Sequence, residues 1–138
     1  MELGKVAEVL SARGFAVSVF SASGEAAAYL NREIDHTSVG FGGSMSVEAL
    51  GLYESLGSHN ELYSHWHVPE GMSVAQIHEK AAQTKIYLCS ANALAETGEI
   101  VNIDGHGNRL ASTLFGHEKV FFVIGRNKIV QKVFVRLQ

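Results

Sequence analysis

Ser38–Ser46 reads SVGFGGSMS, and the fold turns on how that stretch is understood. Ser38 to Phe41 suits a short strand, and it runs straight into Gly42-Gly43. Beyond the glycines, Met45, Ala49, Leu52 and Leu56 fall at i, i+4, i+7 and i+11, which predicts a helix with one apolar stripe. Strand, glycine pair, hydroxyl and helix form the opening half of a βαβ unit. Glycines lack the Cβ atoms that would block close backbone approach, and the amides that follow point along the helix axis, where the positive dipole end favours an anion. Ser44 and Ser46 add hydroxyl donors. The plainer reading is a tight strand-to-helix turn with a serine N-cap and nothing bound. Neither the GxGxxG spacing nor the lysine of a nucleotide P-loop is present.

Working outward, strands and helices alternate. Met1 to Arg13 reads as a helix with Val6, Val9 and Leu10 on one face, stopped by Gly14. Phe15 to Phe20, aromatic and β-branched, predicts a strand, and Glu25 to Ile34 a second helix. Glu61 to Val68 has no decisive period. Ser73-Val-Ala-Gln76 is a capping box opening a helix to about Thr84. Lys85–Cys89 and Glu99–Ile103 predict strands separated by a Thr97-Gly98 turn. Asn108 is placed to cap a short helix through Leu114, ended by Gly116. Lys119 to Gly125, KVFFVIG, is the most apolar strand, with both faces expected to be buried. The expected class is α/β: a mainly parallel sheet flanked by helices, one domain over residues 1–138.

Composition narrows the function classes. The chain of 138 residues is 46% hydrophobic and 18% charged, enough for one core. No apolar run approaches the roughly 18–20 residues of a membrane span, and the N-terminus lacks the pattern of a secretion signal. A net charge of −3 leaves no basic footprint for nucleic acid. The single cysteine, Cys89, excludes an internal disulfide or a CxxC site and reads as a buried small hydrophobe. A soluble, cytoplasmic protein with no membrane partner is expected.

Three further segments carry polar chemistry. Ser90-Ala91-Asn92-Ala93-Leu94 follows the Lys85–Cys89 strand, at the end of a parallel sheet where ligands bind; Asn92 and Ser90 equally suit bonding to loop backbone. Asn102-Ile103-Asp104-Gly105-His106-Gly107-Asn108-Arg109 gathers an acid, an imidazole, a guanidinium and two amides in eight residues. Such a set suits positioning of a polar substrate or general acid–base work. Gly125-Arg126-Asn127-Lys128 offers two cations for a phosphate or carboxylate, or an ordinary solvated loop. His65-Trp66-His67 suggests metal, but zinc needs a third ligand, and none of the other histidines stands at a recognisable spacing. No metal site and no cofactor are expected; Trp66 reads as a packing or interface residue.

Taken together, VGFGGSMS (39–46), SANALAETGEIVNIDGHGNR (90–109) and LFGHEKVFFVIGRNKIV (114–130) resemble the LUD-domain, or lactate-utilisation, family over about residues 37–130. The resemblance implies a fold similar to the sugar-phosphate isomerase, CoA-transferase and formyltetrahydrofolate cyclo-ligase superfamily. There a glycine-rich loop holds the anionic part of the ligand. The matching positions are Gly42, Gly43 and Ser44. Asn92, Asn102, Asn108 and Lys128 are the other ligand-binding candidates, and Asp104 and Arg109 are candidates to orient or react with the substrate. His106 and His117 stand where the family usually has threonine and proline. Relatives continue past the NKIV segment, often with a helix and a cysteine cluster; this chain resembles a short form without that tail, so no cluster role transfers. If the tail's helix normally covers the sheet, a partner subunit is expected to cover it here, most simply in a two-fold homodimer. The implied function is binding of a small anionic metabolite, in an accessory role in lactate or organic-acid utilisation alongside iron–sulfur protein partners. An isomerase or acyl/CoA-transferase activity with Asp104 as base, and a non-catalytic assembly subunit, are the alternatives.

Overall fold

The computed structural model describes residues 2–132; the expectations for Met1 and for residues 133–138 lie outside them. In chain order the elements are α1 (Leu3–Ala12), α2 (Ser23–Glu33), β1 (Ser38–Phe41), α3 (Met45–Ala49), α4 (Leu52–Gly57), β2 (Glu61–Tyr63), α5 (Val74–Ala82), β3 (Ile86–Cys89), β4 (Ala93–Ala95), β5 (Ile100–Val101), α6 (Asn108–Leu114), β6 (Lys119–Phe122) and β7 (Ile129–Val130), with a 3-10 turn at Arg126–Lys128. Four strands form an all-parallel sheet in the order β2-β1-β3-β6. A second, three-stranded sheet, β5-β4-β7, pairs β4 antiparallel to β5 and parallel to β7. The class is α/β, as the alternating pattern predicts.

Side-chain alternation divides the four-stranded sheet into two faces. Val39, Phe41 and Leu88 face a core that also holds Leu30 and Ile34 from the α2 end, Val47 of α3, and Leu52 and Leu56 of α4. Register places Phe41 opposite Leu88 and Leu88 opposite Phe121, so one apolar row crosses three strands. Gly40 and Tyr87 point to the other face, beneath α5 and α6. A Cβ on Gly40 would lie 2.8 Å from Thr84 Oγ1 and 3.0 Å from the carbonyl carbon of Ala81. Glycine is therefore what lets α5 lie directly on β1. Helix α5 itself begins with the expected capping box: Ser73 Oγ accepts the Gln76 amide at 3.1 Å, and the Gln76 side chain accepts the Ser73 amide at 2.8 Å.

Several expectations change in the folded chain. Phe15–Phe20 forms no regular element and pairs with no strand among the described residues, and Phe15 and Val19 are exposed; a β-prone run becomes a strand only where a neighbour supplies the ladder. The stripe from Met45 to Leu56 is split into α3 and α4, because Gly51 adopts a left-handed conformation at φ +64. Met45 is left exposed while Leu52 and Leu56 are buried. The KVFFVIG strand is not fully buried: β6 stops at Phe122, Lys119 is exposed and Val120 to Phe122 are half-buried, and among the described residues β6 has a strand neighbour on one side alone. Glu99–Ile103 contracts to β5. Asn108 does not cap α6; Gly107 holds the N-cap position at φ +74.

Leu88 is fully buried at the centre of the apolar row. Leu88→Ala is expected to lower the unfolding free energy by about 2–5 kcal/mol, read as a shift in urea midpoint at constant slope. A change under about 1 kcal/mol, within the range of surface substitutions, would place the core elsewhere.

Candidate functional site

Because the four strands are parallel, the segments that follow them all emerge at one edge. After β1 comes Gly42-Gly43-Ser44, after β2 Ser64-His65-Trp66, and after β3 Ser90-Ala91-Asn92. This carboxyl edge is where open α/β sheets take ligands.

The glycine turn is held close against its neighbours. The Gly42 amide donates to the Leu88 carbonyl at 3.0 Å. A Cβ there would lie 2.6 Å from Tyr87 Oη and 3.0 Å from the Cys89 Cβ. Gly43, at φ +33, faces His65 and Trp66: a Cβ would lie 2.6 Å from His65 Nε2 and 3.1 Å from Trp66 Nε1. Both glycines are thus required by close approach, and the groups that approach are side chains of this chain. Ser44 caps α3, its hydroxyl accepting the Val47 amide at 3.4 Å. The space among Gly43, Ser44, Glu48, Ser64 and Trp66 is about 10 Å³, room for a single water at most.

Asn92, Asp104 and Arg109 come together as a clamp. The Arg109 Nε donates to Asp104 Oδ1 at 3.0 Å, and the Leu110 amide donates to Asp104 Oδ2 at 2.6 Å. Asp104, rather than Asn108, therefore satisfies an amide in the first turn of α6. A second guanidinium nitrogen of Arg109 donates to Asn92 Oδ1 and, at 3.2 Å, to the Ile103 carbonyl. Asn92 Oδ1 also accepts the Ile103 amide at 2.8 Å. The side chains of Asp104 and Arg109 are only 9% and 11% exposed. Both oxygens of the Asp104 carboxylate are engaged within the chain, and in this geometry the trio fixes the path of residues 92–110.

The other candidates lie apart from the clamp. Asn108 lines a groove of about 410 Å³ with His78, Ala81, Tyr87 and Ser112, between α5 and α6. Lys128 is half-buried in the 3-10 turn before β7. Asn102 follows β5, and its Oδ1 is buried without a hydrogen-bond partner among the described residues; the same holds for Ser90 Oγ. A buried polar atom left unpaired costs about 1–3 kcal/mol, so each of these two atoms is suited to a polar partner. Burial pushes the Cys89 thiol up to about 12, with Arg109 opposing and Asp104 adding to the shift. Burial likewise raises the Tyr87 phenol well above its ordinary range. Both stay protonated and serve as packing groups.

Sequence spacing did not reveal a row of three imidazoles. His65 and His78 have ring centroids 4.8 Å apart, and His78 and His106 5.6 Å. They come from the turn after β2, from α5 and from the loop before α6. Burial, and then the neighbouring His78 and His106, hold the His65 imidazole below its ordinary value. His67, two residues on, turns away: its Nε2 meets Glu48 Oε1 at 2.8 Å and its ring stacks on Tyr53 at 3.8 Å. Only a same-side strand geometry would have aligned His65 with His67, and these residues lie in a turn.

A family model described as LUD domain matches residues 3–134, nearly the whole chain, and the chain belongs to that family. No curated protein and no solved structure matches it. Among the described residues, no helix is long and apolar enough to cross a membrane.

The clamp generates a stability test. Asp104→Ala strands a buried guanidinium and is expected to cost roughly 3–5 kcal/mol. Removing Arg109 as well should cost less than the two single losses combined. Strictly additive losses in urea melts would show that the pair is not coupled.

Proposed function

We propose that this LUD-domain protein binds a small anionic metabolite at the carboxyl edge of its parallel sheet, in an accessory role in lactate or related organic-acid utilisation. The observation that carries this reading is the pair of buried, unpartnered polar atoms, Ser90 Oγ and Asn102 Oδ1, in segments that the Asn92 clamp ties together. A carboxylate accepts from the serine hydroxyl, and a hydroxyl on the ligand donates to the amide oxygen. Gly43 and Ser44 border the entry. Trp66, partly exposed in a turn, is the side chain that moves to admit the guest, because the present space beside it is too small. Asn108 and Lys128 supply further polar contacts in this reading.

The engaged state of Asp104 favours binding over the alternative of an isomerase or acyl/CoA transferase with Asp104 as base. In this reading iron–sulfur clusters are held by partner proteins, since cluster ligation takes several thiolates and the one cysteine of this sequence is buried in β3. Calorimetric titration with lactate, pyruvate and a phosphorylated hydroxy acid tests the reading. At least one is expected to bind, and Ser44→Asp should weaken it about tenfold or more. Aspartate caps a helix as well as serine does, so the fold is kept while like charge opposes the anion. Unchanged affinity moves the site away from Ser44, and no binding of any of the three sinks the reading.

A second reading, a two-fold homodimer or assembly subunit, is favoured by exposed apolar side chains on α6 and its flanks. Leu114 is 77% exposed and Phe115 89%, with Ile103 and Leu110 also exposed. Apolar side chains clustered in this way mark an association surface. Native mass spectrometry is expected to show a dimer that Phe115→Glu converts to monomer; a monomer at micromolar concentration would remove it.

A further inference from the structure

We propose that Glu48, Glu54 and His67 form a site for one divalent transition-metal cation of the zinc or manganese type, beside the glycine turn. The proposal does not rest on the anion reading. One ligating atom from each of the three residues lies within 4.8 Å of the other two. Ligands sharing a cation at about 2.0–2.2 Å stand roughly 3–3.5 Å from one another. His67 Nε2 and Glu48 Oε1 are already 2.8 Å apart, so a small shift of the exposed Glu54 side chain closes the set. Among the described residues, no other group of three histidine, cysteine or carboxylate side chains brings its ligating atoms this close.

The fold assembles this set from separate elements. Glu48 lies in α3, Glu54 in α4, and His67 in the segment after β2. In one continuous helix, residues six apart stand about 120° from each other around the axis, and their carboxylates diverge. Gly51, left-handed at φ +64, breaks the helix between them, and with that break both carboxylates reach the same imidazole. The His67 ring lies flat on Tyr53, with centroids 3.8 Å and planes 7° apart. Stacking fixes the ring plane while Nε2 faces Glu48. Tyr53 therefore does for this imidazole what an outer partner does for a metal-bound histidine: it holds the orientation.

Charge and ligand type agree with a cation. Among the described residues, no lysine or arginine pairs with Glu48 or Glu54. Two carboxylates thus converge with no fixed positive charge between them, and a divalent ion supplies one. The imidazole nitrogen favours zinc and its neighbours over magnesium and calcium, and the two carboxylates extend the range to manganese. Three protein ligands leave a further position for water or an anion. Glu48 also lines the small space shared by Gly43, Ser44, Ser64 and Trp66, which sets the cation at the border of the glycine turn.

The test is calorimetric titration of the chelator-treated chain with zinc and with manganese. The buffer is free of organic anions, so the outcome is separate from that of the anion reading. One cation per chain is expected for zinc or manganese, and cobalt should bind with visible absorption displaced from that of the aqueous ion. Glu54→Gln, at an exposed position of α4, and His67→Gln should each weaken binding about tenfold or more, a loss that even a supporting partner's removal causes. Glu70→Gln removes an exposed carboxylate outside the set and should leave the affinity unchanged. Circular dichroism of each variant checks the fold. No binding of either metal by the unaltered chain overturns the proposal, as does full affinity retained in Glu54→Gln or in His67→Gln. An equal loss in Glu70→Gln reduces the effect to surface charge and overturns it as well.

Discussion

The parallel pairing of β1 with β3 is the constraint on which the rest depends. Val39 opposite Ile86 and Phe41 opposite Leu88 fix the register of the two central strands. A slip of one residue would send Phe41 and Leu88 to the wrong face. The same register sets Gly42 where its amide continues the ladder to the Leu88 carbonyl. The glycine turn and the Ser90–Asn92 segment both leave the sheet from this point.

The clamp takes over where the ladder ends. Burying an ion pair adds little net stability, because desolvation of the two charges offsets their attraction. Its value lies in geometry: Asp104 holds Arg109 and the first turn of α6 together, while Arg109 and the Ile103 amide converge on Asn92. A loop of glycines and short side chains is thereby given one path. The same path carries His106 to within 5.6 Å of His78.

Much of the frame was legible in the residues. The strands at Ser38–Phe41 and Ile86–Cys89 follow from short apolar runs with glycine or polar stops, and Ser73 with Gln76 announced α5 outright. The misreadings share one cause. Phe15–Phe20 has strand composition but no pairing partner among the described residues, and β6 is apolar enough for a centre yet lies at the edge. Whether a strand is paired, central or exposed depends on its neighbours, and composition does not name the neighbours. Gly51 cut a continuous stripe in two because the left-handed conformation of a single residue redirects a helix.

The local sequence by itself determined the α/β class, the glycine turn after β1, and the grouping of Asp104 with Arg109, whose contact spans five residues. Such features rest on short-range chemistry: side-chain period, capping and the steric freedom of glycine. Tertiary structure alone decided that Asn92 would join that pair, that His65 and Trp66 would close over Gly43, and that three scattered histidines would meet. Those contacts join the turns after β1, β2 and β3 to helix α5 and to the loop after β5, which belong to different elements and to two sheets. Sequence distance carries no record of that convergence until the sheet is built.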